Sequence, residues 1–298
     1  MSEPGATEPS EGVVGLIDTH CHLDMLKGTP DEALVEAHAA GVDAVVAVGI
    51  DLRSSRIAAD LAATHDEVYA AVGVHPHDAV GFDAVVRTGL ERLLTQRHVV
   101  AVGECGLDFY RDLAPRDVQR EAFAEQLELA RSADKPVCVH SREAGGETFA
   151  LLTEHGSGLR VVLHCFSTPE YVELANERGY YVSFAGNLTY KDSGGLQKAA
   201  LAVRDDLLLV ETDAPFLTPM PRRGRPNRPA NVGLTAQFLA RLRGWRDDEV
   251  AAVTSANARR AFGLSAPTGP AGAASPTGAA SPTTPTAPTG PTAPVAPA

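Results

Sequence analysis

Two histidines one residue apart, His20 and His22, are the first residues in this sequence of 298 that could do chemistry together. They follow an apolar run that starts at Gly15, and successive residues of a β-strand face opposite sides. The two imidazoles therefore share one face at the end of a strand, where together they can bind a metal ion. Two ordinary histidines near a surface turn are the alternative, and the rest of the chain has to decide between them.

Polar side chains end five further apolar runs in the same way. In chain order they are His75, Glu104, His140, His164 and Asp213. The carboxyl ends of parallel strands in a barrel meet at one face, so six strands would deliver seven candidate ligands or acids to one place. Such a coincidence is hard to attribute to chance. The other histidines fall in predicted helices, in loops or at a strand start, where no role in the site is expected: His38, His65, His77, His98 and His155.

These side chains include four imidazoles and two carboxylates that suffice for two divalent ions, provided that one carboxylate bridges them. The six candidate ligands are His20, His22, Glu104, His140, His164 and Asp213. Two ions about 3.5–4 Å apart can activate a water molecule and stabilise both the attacking and the leaving oxygen of a displacement. Mixed nitrogen and oxygen ligands suit zinc, manganese or iron, whereas magnesium prefers oxygen. The ligand types therefore leave the identity of the metal open.

The elements that position these residues are short apolar runs alternating with longer amphipathic segments. The runs cover residues 15–18, 43–49, 68–74, 98–104, 136–140, 159–165, 180–184 and 206–213. The helical segments cover residues 31–40, 54–65, 82–96, 115–133, 143–155, 168–178, 195–203 and 229–242. One further helix, over 247–257 and 259–262, is expected to pack on the outside. Eight such units predict an α/β fold of the (β/α)8 TIM-barrel type. An open doubly wound sheet is the alternative, but no GxGxxG motif follows the first run.

The composition predicts one barrel domain, residues 14–264, between two disordered segments. Residues 1–13 are acidic and poor in apolar side chains, and residues 265–298 form a low-complexity tail rich in Pro, Ala and Thr. The first segment lacks the basic and apolar parts of a secretory signal, and no run is long enough to span a membrane. We therefore expect a cytoplasmic monomer with no membrane partner. Four scattered cysteines without CxxC spacing are expected to be reduced, mostly buried thiols.

The charge balance limits the kind of partner. A formal net charge of −12 argues against a protein that coats long nucleic acid through a broad basic surface. It does not exclude phosphate chemistry, because bound cations and a local group of arginines can supply positive charge. The one dense basic cluster consists of Arg222, Arg223, Arg225 and Arg228.

The motifs at these positions resemble the TatD family of metal-dependent deoxyribonucleases, which are amidohydrolase-like TIM barrels. The resemblance extends over residues 17–262. Its motifs are DTHCHLD (18–24), GVHPH (73–77), GECGLDFYR (103–111), PVCVHSREA (136–144), LHCFS (163–167), ETDAPFLTP (211–219) and RGRPNRPANV (223–232). The fourth run ends in Glu104, with no lysine nearby of the kind that many related amidohydrolases carboxylate. This difference favours the TatD branch.

The resemblance also implies roles for single residues. It assigns His20, His22, Glu104 and Asp213 to one metal ion, and makes Glu104 the bridge to a second ion that His140 and His164 also hold. The implied reaction is hydrolysis of a phosphodiester by a metal-activated water molecule, with Asp213 helping to deprotonate that water. His75 and Arg223 are implied contacts to the substrate. Arg142, two residues after His140, is a further predicted substrate contact on the basis of its position, with pairing to a carboxylate at the barrel rim as the alternative. The chain departs from the family pattern at Thr168 and Arg228.

The activity implied by the resemblance is a 3′→5′ exonuclease that acts on single-stranded DNA ends with Mg²⁺ or Mn²⁺, Zn²⁺ being a further option. A D-aminoacyl-tRNA deacylase using the same metal site, with aminoacyl-tRNA as the partner, is an alternative. A non-catalytic scaffold is a third hypothesis, which the complete ligand set disfavours.

Overall fold

In the computed structural model, which describes residues 13–264, eight parallel strands alternate with helices and form one sheet in chain order. The strands are β1 Leu16–Cys21, β2 Val42–Val48, β3 Val68–Val72, β4 Val99–Asp108, β5 Val137–Arg142, β6 Val161–Leu163, β7 Tyr181–Phe184 and β8 Leu208–Val210. The helices are α1 Pro30–Ala39, α2 Leu52–Thr64, α3 Ala84–Leu94, α4 Arg116–Ala133, α5 Gly145–His155, α6 Val172–Arg178, α7 Gly194–Ala202, α8 Val232–Arg243 and α9 Asp247–Phe262. The predicted TIM barrel is confirmed.

The predicted ends of the domain lie at the limits of the described residues. The disorder expected over residues 1–12 and 265–298 lies outside them. Val13 was predicted to be disordered, but its side chain is buried in the hydrophobic core, so the packed structure includes that residue. Among residues 13–264, no helix combines the length and the apolarity needed to cross a membrane.

The contact between β8 and β1 closes the barrel. Cys21 pairs with Ala214 in a parallel bridge, and the His22 amide donates to the Ala214 carbonyl at 2.8 Å. The Asp213 amide donates to the carbonyl of His20 at 2.9 Å. Three candidate ligands, His20, His22 and Asp213, therefore make this closing contact through their backbone atoms.

Side chains strengthen the same contact. The Asp18 carboxyl, which is fully buried, accepts hydrogen bonds from the Thr212 amide at 2.8 Å and from the Thr212 hydroxyl at 2.6 Å. The Thr19 hydroxyl donates to the Val210 carbonyl at 2.9 Å. Burial raises the pKa of Asp18 to about 8, although the hydrogen bonds from Thr212 oppose this shift.

The strands and helices bury a hydrophobic layer between them. On α4, Phe123, Leu127 and Ala130 recur at helical spacing and are completely buried, as the sequence predicts. Thr29 starts α1 through a capping box with Glu32, in which each side chain accepts from the other residue's amide. Local capping and the spacing of apolar residues thus account for the positions of these helices.

The final helix packs against both its neighbouring helix and the barrel. α9 contacts α8, but its residues Ala261 and Phe262 also belong to the hydrophobic cluster that contains Ile17 of β1 and Leu209 of β8. The Ser255 hydroxyl donates to the Gly15 carbonyl, just before β1. The helix predicted to pack against the outside therefore also covers the amino-terminal end of the barrel, through the apolar side chains of Ala261 and Phe262.

Candidate metal centre

A cleft of about 560 Å³ opens at the carboxyl ends of the strands and is lined by five of the six predicted metal ligands, while the sixth, His20, is fully buried beside them. β1 contributes His20, β4 contributes Glu104 and β5 contributes His140. His164 directly follows β6, and Asp213 lies shortly after β8. The structure thus brings together all six residues that the sequence predicts as metal ligands.

Glu104 lies at the centre of the site, with its two carboxylate oxygens facing different imidazoles. Oε2 lies 3.4 Å from His20 Nε2 and 3.7 Å from His22 Nε2. Oε1 lies 2.8 Å from His140 Nδ1 and 2.9 Å from His164 Nε2. This division is the arrangement that a carboxylate bridging two cations requires.

Asp213 belongs to the first of these two groups. Its Oδ1 lies 3.5 Å from His22 Nε2 and 3.9 Å from His20 Nε2. Its backbone has a φ of +54°, in the left-handed region that Asp tolerates better than most residues. One group therefore holds two imidazoles and two carboxylates, and the other holds two imidazoles and the shared carboxylate.

Two glycines allow β4 to present Glu104 to the cleft. Gly103 has a φ of +127° and Gly106 a φ of +138°, values that L side chains rarely adopt. A Cβ at Gly106 would lie only 2.0 Å from the His140 carbonyl oxygen, and one at Gly103 would lie 2.4 Å from that of Cys138. The register of β4 against β5 shifts between Val102 and Cys105, the segment that contains Gly103 and Glu104. The two glycines of the sequence GECG therefore let β4 approach β5 closely both before and after Glu104.

In three of the imidazoles, a hydrogen bond to a group that is not a predicted metal ligand fixes the tautomer. In each, the nitrogen away from Glu104 donates to an acceptor: His22 Nδ1 to the Val48 carbonyl (3.1 Å), His140 Nε2 to Asp108 (3.3 Å) and His164 Nδ1 to Glu211 (3.0 Å). In the neutral ring, a proton on the outer nitrogen leaves a lone pair on the inner one. All three inner nitrogens are thereby ready to bind a cation.

His75 is oriented in the opposite sense. It is close enough to Glu104 and His140 to belong to a metal group on distance alone. Its Nδ1, however, accepts a hydrogen bond from the His77 amide at 3.1 Å, so in the neutral ring the proton is on Nε2. Nε2 lies 3.4 Å from Glu104 Oε1. Burial lowers the pKa of His75 to about 4, which keeps the ring neutral. His75 is thus built as a hydrogen-bond donor at the cleft rather than as a ligand.

His20 provides the observation that tests whether divalent ions fit. The ring is fully buried, and neither nitrogen has a hydrogen-bond partner among residues 13–264. Burying a polar atom without a partner is unfavourable, and a cation at Nε2 would remove that cost there. Burial, followed by the charge of His164, lowers the pKa of His20 to about 4, so the ring is neutral and its lone pair is available. The nitrogen and oxygen atoms around Glu104 therefore fit divalent cations.

Without a bound cation, protons on neighbouring histidines balance the negative charge of Glu104. Burial raises the pKa of Glu104, but His164 and His75 and the hydrogen bond from His140 lower it well below its usual value. Burial lowers the pKa of His164, but Glu104 and Glu211 raise it well above the ordinary value for imidazole. The pKa of His140 is also raised, because hydrogen bonds to carboxylates outweigh burial.

The sequence did not reveal the residues that orient the ligands. Asp108 Oδ2 accepts from His140 and also from His77 Nε2, at 2.9 Å. Glu211 accepts from His164 and from the Cys165 amide at 2.8 Å. His77 was expected to be an ordinary loop residue, but it lines the cleft, because a short 3-10 helix over Pro76–Gly81 brings it next to Asp108.

The predicted substrate contacts have different positions. Arg142 lines the cleft, with its guanidinium carbon 4.0 Å from the centre of the Tyr110 ring. Arg223 does not line the cleft and lies over the ring of Tyr190, at 4.2 Å. Arg111, which was not predicted, also lines the cleft.

The predicted arginine cluster is partly paired within the fold. Arg222 donates to Asn231 at 2.7 Å, whereas Arg228 donates to the Lys27 carbonyl at 2.9 Å and pairs with Glu36 at 3.2 Å. Two of its four members are therefore engaged in holding the loop after β8 in place, which leaves Arg223 and Arg225 as the candidates for contact with a ligand.

The cysteines are free, as predicted. Three are buried, and Cys165, which is partly exposed, lines the cleft. Burial raises the pKa of all four thiols. A raised pKa disfavours the thiolate form.

Comparison with known proteins agrees with this geometry. Residues 17–263 match the family model described as TatD related DNase. A metal-dependent hydrolase of Mycobacterium tuberculosis named TatD is 41% identical over 260 residues, which cover 84% of this chain and 98% of that protein. A 3′-5′ ssDNA/RNA exonuclease of Citrobacter rodentium is 35% identical over 242 residues, covering 79% and 92%. The crystal structure of YjjV, a TatD homologue of Escherichia coli, has a TM-score of 0.80 at 31% identity and covers 85% of this chain and 100% of that one.

Proposed function

This chain belongs to the TatD-related DNase family of metal-dependent hydrolases, and from that premise we propose that it is an exonuclease that shortens single-stranded DNA from the 3′ end. The name of the Citrobacter rodentium relative supports this polarity and this substrate. The chemical step is hydrolysis of the phosphodiester nearest the end.

The observation that carries the proposal is the division of the Glu104 carboxylate between two sets of imidazoles. Oε2 faces His20 and His22, and Oε1 faces His140 and His164, so one side chain can serve two divalent ions. Such ions lower the pKa of water and neutralise the charge that develops on a phosphoryl group during displacement. We assign Asp213 to the first ion beside His20 and His22.

Asp213 is the proposed proton acceptor. Its carboxylate lines the cleft, and its Oδ1 lies 3.5 Å from His22 Nε2. It takes no part in the short contacts that His140 and His164 make with Glu104 Oε1. A carboxylate in this position can accept a proton from a water molecule that attacks phosphorus. Glu104 is held by imidazoles on both oxygens and is less able to do so.

His75 and two arginines are the proposed contacts to the substrate phosphates. The Nε2–H of His75 can donate to a phosphate oxygen without the ring first gaining a proton, because Nδ1 accepts from the His77 amide and the proton of the neutral ring is on Nε2. Arg142 lines the cleft, and Arg223 lies over Tyr190 on the loop after β8. Arginine donates two parallel hydrogen bonds to phosphate, which suits this role. The net charge of −12 favours short or frayed ends over long duplex.

The test compares wild-type protein with Asp213→Asn on 5′-labelled single-stranded DNA, with added Mg²⁺ or Mn²⁺ and with EDTA. Asp60→Asn is the matched control, because Asp60 is an exposed carboxylate on α2, away from the cleft. We expect a ladder of shortened products from the wild type and the control. Loss of a general base should slow Asp213→Asn by about 10²–10⁴-fold.

The same assay includes D-aminoacyl-tRNA as a second substrate. Hydrolysis of the aminoacyl ester with intact DNA would replace the exonuclease proposal by the deacylase alternative. Wild-type rates from Asp213→Asn would reject the proposed catalytic site. Products from the 5′ end would reject the polarity.

A further inference from the structure

The mouth of the metal centre carries exposed apolar side chains, although its floor is polar. Phe216 is 52% exposed, Leu113 is 65% exposed and Met25 is 36% exposed, and all three line the cleft. Exposed large apolar side chains that converge on one site indicate a ligand with an apolar surface. Other exposed apolar residues of similar size, such as Leu201 at 50%, do not line the cleft.

Phe216 contacts two residues of the proposed reaction centre. It follows Asp213 by three residues, and its amide donates to the Asp213 carbonyl at 2.8 Å. Its ring lies 6.0 Å from that of His22, at an interplanar angle of 71°. A flat group lying against Phe216 would therefore be next to a phosphate that contacts the first metal group.

Positive charge is available at the same cleft. Arg111 and Arg142 line it, and the Arg142 guanidinium lies over the half-exposed ring of Tyr110. The cleft thus offers a cation-binding floor, arginines for an anionic backbone and one exposed aromatic ring. A nucleotide matches this combination, because it joins a charged phosphate to a flat base with an apolar face.

We propose that Phe216 is a nucleobase-stacking residue that selects unpaired over paired ends, with Leu113 and Met25 extending its apolar surface. The proposal rests on the proposed function and adds the physical basis of its strand preference. Within a duplex the faces of a base are covered by its neighbours except on the outer side of the last pair, and pairing fixes the position of that last base. An unpaired base is free to turn its face to Phe216. Stacking on an aromatic side chain tolerates any base, which suits an exonuclease without sequence preference.

The experiment compares Phe216→Ala and Phe216→Trp with wild type on two single-stranded oligonucleotides. One has ordinary bases throughout, and the other has abasic sugars at its last two 3′ positions. We expect Phe216→Ala to raise KM about tenfold on the first and to leave the second unchanged, since only the first offers a base to stack. Phe216→Trp should restore the wild-type KM. Leu201→Ala is the matched control, because it removes an equally exposed apolar side chain outside the cleft.

A second readout does not depend on hydrolysis. An oligonucleotide with 2-aminopurine as its 3′-terminal base and a phosphorothioate at the last linkage should lose fluorescence when the base stacks on the protein. We expect quenching with wild type and Phe216→Trp, and little with Phe216→Ala. An equal KM increase on both oligonucleotides would overturn the inference, as would equal quenching by all variants. Failure of the wild type to cleave either oligonucleotide would reject the proposed function, and the fluorescence measurement would still decide whether Phe216 stacks on a base.

Discussion

Replacing Asp108 by Asn is expected to weaken the ion between His140 and His164 while sparing the ion between His20 and His22. Asp108 is 1% exposed, and its Oδ2 accepts from His140 Nε2 at 3.3 Å. This hydrogen bond keeps the lone pair of His140 on Nδ1, the nitrogen that faces Glu104.

The other oxygen of Asp108 decides how an asparagine at this position would be oriented. Oδ1 accepts from the amides of Tyr110 and Arg111 at 3.0 and 2.8 Å. In Asp108→Asn, the oxygen of the new side chain would take over these two bonds, which leaves its NH₂ group facing His140 Nε2. Two donors would then meet, so His140 must rotate or move its proton to Nδ1, and either change removes the lone pair from the metal position.

Loss of a partner that orients a metal-ligating histidine costs about 10–100-fold in metal affinity, or about 1.4–2.7 kcal/mol. Calorimetric titration of metal-free protein with Mn²⁺, with a competing chelator where binding is tight, resolves the two ions. The expected result is one unchanged and one weakened dissociation constant.

His77→Phe is the matched control for Asp108. It removes the second donor to Oδ2 and leaves the bond from His140 intact, so both affinities should stay near wild type. Unchanged affinities in Asp108→Asn would refute the proposed tautomer control. Equal weakening of both ions together with a lower Tm would show that Asp108 acts only by holding the loop after β4.

Two further predictions concern the shared carboxylate and the closing contact of the barrel. Glu104→Gln should weaken both ions, because each loses a charged oxygen, and calorimetric retention of two tight sites would contradict the bridging assignment. Thr212→Val removes the hydroxyl that bonds to the buried Asp18 and should cost about 1–3 kcal/mol in urea unfolding. Thr254→Val, whose hydroxyl bonds only within α9, should cost less, and equal losses would show that the Asp18 contact adds nothing to stability.

The barrel and the set of ligands could be predicted from the sequence because both depend on local patterns. Each apolar run forms a strand, and a polar residue at its end lies at the face where the strands converge. His20, Glu104 and Asp213 come from distant parts of the chain, but each is marked by the run before it.

The orienting residues could not be found in this way, because their role depends on partners that only the folded chain supplies. Asp108 is the last residue of β4, four residues after Glu104. Its role in orienting His140 follows from the position of His140 on the neighbouring strand. The charge of Arg228 predicts a contact with nucleic acid. In the structure, however, its guanidinium donates to the Lys27 carbonyl, 201 residues away in the sequence. Charge clustering along a sequence does not tell which charges are already paired in space.

The contact between the first and the last strand has a consequence for the synthesis of the protein. Asp18 and Thr212 are 194 residues apart, and the first metal group draws His20 and His22 from one side of this junction and Asp213 from the other. A nascent chain that has not yet reached β8 holds an incomplete set of ligands, so we expect it to bind that ion weakly and to have no hydrolytic activity. An ion bound there would link the first and the last strand of the barrel. Depletion of metal would therefore loosen the fold first at the contact between β8 and β1, which is completed last during synthesis.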